Sequence, residues 1–140
     1  MVDKTQEKVE DKIIDLIVLG AGSRVVVFKP ENSDKDLIAE KRSNYVDKTL
    51  SFNVYNGNFS SAQDFDKAII SSPSGLGLNL EKNFYLIFAR FDIIRQDIDD
   101  KFWVVPSLSL EAAIDKDDFS KFLTNKKDFV RFLIDELGKK

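Results

Sequence analysis

The sequence predicts an α/β domain. Its centre is a mixed sheet of about five strands, with helices on both faces as a three-layer sandwich. Three observations carry this. Apolar residues recur at helical spacing near both ends of the chain, five strand-like segments lie between them, and one of those segments is apolar at every position. A length of 140 residues suits one domain and one hydrophobic core, so residues 1–140 are read as a single unit.

The elements follow in chain order. Residues 1–6 are expected to fray. Over residues 7–19, Val9, Ile13, Ile14, Leu16 and Ile17 recur with helical period, and Gly20 and Gly22 are read as the stop. Residues 24–28 are rich in β-branched side chains and predict a strand, followed by Pro30 and a polar turn over 31–35. Residues 36–42 and 48–55 predict a hairpin closed by the polar loop 43–47. In its second strand Leu50, Phe52 and Val54 share one face, and Ser51, Asn53 and Tyr55 the other. Ser61 and Asp64 mark a helix start, and Ala62, Phe65, Ala68 and Ile69 supply its apolar face. Residues 71–77 read as loop. Residues 84–89 are apolar throughout, as a strand buried on both faces requires. A charged, turn-containing stretch spans 90–101, and residues 102–105 form a last strand stopped by Pro106.

Beyond Pro106 the pattern is helical. Asn125 and Asp128 form a capping pair, Phe129, Val130, Leu133, Ile134 and Leu137 an apolar stripe, and Gly138 the C-cap. With 12 phenylalanines, one methionine and one tryptophan, Phe is the main bulky core filler. The expected core is Ile13, Ile17, Val26, Leu37, Phe52, Val54, Leu86, Phe88, Val104, Phe129 and Leu133.

Composition removes whole classes of chemistry. The chain has no cysteine and no histidine, which excludes disulfides, thiolate nucleophiles, His/Cys zinc sites and histidine general bases. Carboxylates, lysines, tyrosines and hydroxyls remain. The charged N-terminus lacks the apolar stretch of a secretory signal, and no apolar run approaches the ~20 residues that cross a bilayer. A cytoplasmic location without membrane contact is therefore expected. The net charge of −3 argues against broad nucleic-acid binding while leaving room for a local basic patch. Gly20-Ala-Gly22 lacks the remainder of a phosphate loop and reads better as a helix terminus, and Gly75-Leu-Gly77 is only a loop signal.

The hairpin holds the most informative constellation. Metal-dependent phosphodiester cleavage needs oxygen ligands converging on a divalent ion, with a cation beside them. An acid opening one strand and an acid-x-lysine triplet on its neighbour satisfy this, because period two aims them at one face. Here Asp36 opens the first strand, and the second presents Asn53-Val54-Tyr55.

With the flanking helix, the short strand, the later helix and the stretches 84–92 and 102–107, this order resembles the PD-(D/E)xK nuclease-like superfamily. The likeness is to its small Holliday-junction-resolvase-like domains and covers about residues 7–110. The resemblance implies a restriction-endonuclease-like fold, with Asp36 as the metal-binding aspartate. It sets Asn53 where the second acid stands and Tyr55 where the catalytic lysine stands. Glu7 or Glu10 would match a helix glutamate used by some members. Glu40 is a candidate migrated ligand, and Lys41 and Lys48 candidate migrated lysines. The equally available reading of Asp36 is a turn carboxylate at a strand start.

Lys35, Lys41, Arg42 and Lys48, with Lys29, lie in or beside the hairpin and could face a phosphate backbone. Glu31, Asp34, Asp36, Glu40 and Asp47 are interleaved with them, so a solvated mixed surface is the better reading.

Three functions remain. The first is a catalytically inactive nuclease-like domain that binds nucleic acid or protein and needs no cofactor. The second is a Mg²⁺-dependent nuclease with a rearranged site. The third is an unrelated α/β interaction module, such as a homodimer through a strand edge.

Overall fold

The computed structural model of the chain describes residues 4–31, 33–41, 48–70 and 80–138. Helix α1 (Lys4–Ala21) leads into strands β1 (Val25–Phe28), β2 (Leu37–Lys41) and β3 (Thr49–Asn56). Helix α2 (Ala62–Ile70) and strand β4 (Phe84–Ala89) follow, then a small ribbon, β5 (Phe91–Asp92) with β6 (Asp97–Ile98). Strand β7 (Lys101–Pro106), helix α3 (Leu110–Lys116), strand β8 (Leu123–Asn125) and helix α4 (Lys126–Gly138) complete the chain.

The main sheet has the order β1-β2-β3-β4-β7-β8. Every neighbouring pair is antiparallel except β3 and β4, which run parallel with Val54 beside Ile87. A parallel pair cannot be joined by a tight turn, and α2 lies within the required crossover. The fold is thus α/β around a mixed sheet, with six strands where about five were expected.

Alternation divides the interior into two cores. On one face Leu37, Leu50, Phe52, Val54 and Ile87 meet Val9, Ile13 and Ile17 of α1 and Phe129 and Leu133 of α4. On the other Tyr55, Phe84, Leu86, Phe88 and Val105 meet Phe65 and Ile69 of α2 and Leu110 and Ala113 of α3. Helices therefore cover both faces, and β4 is buried on both sides as its composition requires. No described helix is long and apolar enough to cross a membrane.

Several expectations need correction. Residues 4–6 belong to α1; residues 1–3 lie outside the described part, as do Arg42, the 43–47 loop and the 71–77 loop. Arg24 belongs to a 3-10 turn rather than to β1. Gly20 lies inside α1, and Gly22, at φ +62°, performs the left-handed termination. Val26 is 40% exposed, because the face of edge strand β1 that packs on the core carries Val25 and Val27 instead. Val104 is only half-buried.

The helical tract after Pro106 is broken into α3, β8 and α4. Gly138 is the last residue of α4 rather than its cap. The Asn125–Asp128 pair caps α4 as expected: the Asp128 N–H donates to Asn125 Oδ1 at 2.8 Å, and the Asn125 amide donates to the Asp128 carboxylate at 3.1 Å.

Candidate functional site

Asp36 immediately precedes β2, opposite the middle of β3. Its backbone N–H donates to Phe52 O at 3.0 Å and to Asn53 Oδ1 at 2.8 Å. Its carboxylate Oδ2 accepts the Val54 N–H at 2.8 Å. Alternation places the Asn53 side chain beside this strand start, and Asn53 is 1% exposed, so its carbonyl oxygen meets the Asp36 N–H instead of water.

Helix α1 supplies the remaining groups. One turn apart on its surface, the Gln6 amide donates to Glu10 Oε2 at 3.0 Å and to the Val54 carbonyl. Glu10 also faces Lys29, at 3.7 Å, and Lys29 bonds Asp11 at 2.9 Å. Gln6, Glu10, Asp11 and Lys29 thus gather beside Asp36 where α1 passes the β2–β3 pair, and Asn53 meets Asp36 from the neighbouring strand.

Burial pushes the Asp36 carboxyl up to about 6. The Val54 N–H opposes that shift, the Glu10 charge adds to it, and Lys29 opposes it.

The other candidates lie elsewhere. Tyr55 is buried in the second core, its ring stacked on Phe88 at 5.1 Å between centroids. Glu40 pairs across β2 with Val26 and Thr49 and stands four residues from Asp36, about 13 Å along the strand. The Lys35 ammonium lies 3.6 Å from the Phe84 ring centroid, near Asp34 and Glu81. Lys48 pairs with Glu136 at 3.2 Å, and Lys41 is exposed at the end of β2. Arg42 lies outside the described residues.

A divalent ion suits this donor set poorly. Asp36 Oδ2 and Asn53 Oδ1 each already accept a backbone N–H, and Glu10 is held by Gln6 and Lys29. Among the described residues no three metal-ligating side chains converge. The arrangement can position a carboxyl of near-neutral pKa and lock the register of β2 on β3.

Sequence reasoning missed Gln6 and Asp11. Their spacing from Glu10 put them on or near its helix face, but nothing local showed that α1 would pass the Val54 carbonyl. No known protein family, curated protein or solved structure matches the chain.

Proposed function

We propose that the chain is a catalytically inactive, nuclease-like domain of restriction-endonuclease-like ancestry that works in the cytoplasm as a binding module. One observation carries this reading: the positions matching the catalytic triplet are spent on structure. Asn53 turns its carbonyl to the Asp36 N–H, and Tyr55 packs on Phe88 where a lysine would supply charge. The order helix, three strands, helix, strand over α1 to β4, on which the resemblance rests, supports the ancestry. The clustering of Asp36, Asn53 and Glu10 supports it as well.

Charge and surface favour a protein partner over nucleic acid. Lys29, Lys35 and Lys48 each stand within ion-pair distance of at least one acid, which weakens them as phosphate contacts. Between β5 and β6 a turn presents Ile93 and Ile94, the latter 95% exposed. The Asp92 carboxylate accepts the Ile94 N–H at 3.0 Å, and the Gln96 amide donates to Ile93 O, so the turn is ordered before any partner arrives.

The test pairs a cleavage assay with a binding assay. Linear duplex, single-stranded and four-way-junction DNA are incubated with wild type and Asp36→Ala, in Mg²⁺ and in Mn²⁺. No cleavage is expected. Cleavage by wild type that Asp36→Ala abolishes would overturn the inactive reading. Labelled DNA and RNA of the same shapes should show no saturable binding at about 0.1 M salt. Saturable binding under those conditions would replace the protein partner with nucleic acid.

A further inference from the structure

A cleft elsewhere on the molecule shares no side chain with the Asp36 cluster. It lies on the first-core face of the sheet, where α4 leaves part of β4 and β7 uncovered. Tyr85, Val104 and Pro106 stay half-buried there, facing Phe129 and Phe132 of α4 and Phe122 before β8. The cleft holds about 300 Å³, at the lower end of the ~300–1,000 Å³ typical of small-molecule sites.

Its walls are aromatic. Tyr85 meets Phe132 edge-on at 5.3 Å between centroids, and Phe129 stands 6.5 Å from Phe132. Its polar rim is sparse. The Lys121 ammonium lies 5.1 Å from the Phe122 ring centroid and enters no ion pair among the described residues. The cation–π contact holds this charge at the mouth of the cleft. Thr124 adds a hydroxyl beside it.

Each feature restricts the occupant. The rings reward a flat apolar body that sheds water against them. Lys121, paired with no acid among the described residues, favours an anion and disfavours a cationic ligand. One lysine matches one charge, too little for a polyphosphate or a nucleic-acid backbone.

We propose that this cleft binds a small amphipathic carboxylate. Its planar apolar body would lie among Tyr85, Phe122, Phe129 and Phe132, and its carboxylate would sit on Lys121.

Three probes test this on the full chain by calorimetric titration and amide chemical-shift mapping. They are 2-naphthoate, the neutral 2-naphthalenemethanol, and acetate. 2-Naphthoate should saturate wild type, with shifts clustered over residues 121–132 and around Tyr85, while acetate should not bind measurably. Lys121→Gln removes the charge at an exposed position. It should weaken 2-naphthoate about fivefold, the scale of one ion pair at a half-open site, and leave the neutral analogue unchanged. Thr124→Trp, which fills the mouth, should weaken both. The proposal fails if wild type does not saturate with 2-naphthoate, if Lys121→Gln binds it as well as wild type, or if the shifts map to another surface.

Discussion

Burial raises the Asp36 carboxyl to about 6 even though the Val54 N–H favours its charged form. An unfolded aspartate titrates near ~3.9, so the folded chain holds this proton more tightly than the unfolded chain does. The stability Asp36 contributes is therefore fully present below about pH 4 and is lost as pH rises through about 6. Asp36→Asn keeps an oxygen for the Val54 N–H and cannot ionise. The variant should match wild type near pH 4 and exceed it by about 2–3 kcal/mol near pH 8. Urea midpoints of both proteins at pH 4, 6 and 8 measure the gap, and a gap that stays flat would show that folding does not alter this ionisation. Asp64 and Asp92, held below the usual range chiefly by hydrogen bonds from Ser60 and Arg95, shift stability the other way with pH. Their effects cancel in the difference between the two proteins. Strand alternation set Asp36 and Asn53 side by side, but did not show that the contact would run from the Asp36 backbone N–H to Asn53 Oδ1 while the Asp36 carboxylate takes the Val54 N–H. The pairing of the lysines was not legible: Lys48 finds Glu136 at a separation of 88 residues, which no local pattern encodes.

Helix α1 was read from its period, yet its glycine carries a meaning that periodicity hides. A Cβ on Gly20 would come within 2.7 Å of Val130 Cγ1 and 2.9 Å of Cγ2, so the residue marks a close approach of α1 and α4. Val130 is β-branched and has little freedom to turn aside in a helix. Gly20→Ala gains about 1 kcal/mol of helix propensity and loses ~1–3 kcal/mol to overpacking, so net destabilisation is expected. In a Val130→Ala background both methyls are gone and only the Cβ remains, 3.2 Å away, so most of the clash is relieved and Gly20→Ala should be more favourable there than in wild type by about 1 kcal/mol or more. Denaturation of the four proteins closes the cycle, and an unchanged effect of Gly20→Ala in both backgrounds would refute the contact. The amphipathic elements α1, β3, α2 and α4 were legible because each repeats its pattern, and β4 because it is apolar at every position. The elements missed are short. Strand β8 has three residues and β5 and β6 two each, so none completes enough of a period to register, and α3, which buries only Leu110 and Ala113, was read as part of one helical tract with α4.

Two cores sharing one sheet make a claim about the whole molecule. Strands β3 and β4 contribute alternate residues to each: Phe52, Val54 and Ile87 to the core under α1 and α4, and Tyr55, Leu86 and Phe88 to the core under α2 and α3. Alternation showed which residues would travel together, but not which stretch of each face a helix would cover, and Val26 was misassigned for that reason. Neither core can dissolve without breaking the central parallel pair that supports the other. Unfolding should therefore be a single cooperative transition. The one tryptophan, Trp103, packs on Phe59 and Phe65 and reports the second core, while far-ultraviolet circular dichroism reports the whole fold. Both signals should give one midpoint in urea. Phe88 is fully buried and meets Tyr55, Phe59, Phe65 and Phe119, so Phe88→Ala should cost roughly 3–5 kcal/mol. Ile17, fully buried in the other core, should cost roughly 2–5 kcal/mol as Ile17→Ala. Each variant should move both signals together. If Ile17→Ala lowered the circular-dichroism midpoint and left the Trp103 midpoint in place, the cores would be independent units and the shared sheet would not couple them. If Phe88→Ala cost less than about 1 kcal/mol, β4 would not be the strand buried on both sides around which this fold is built.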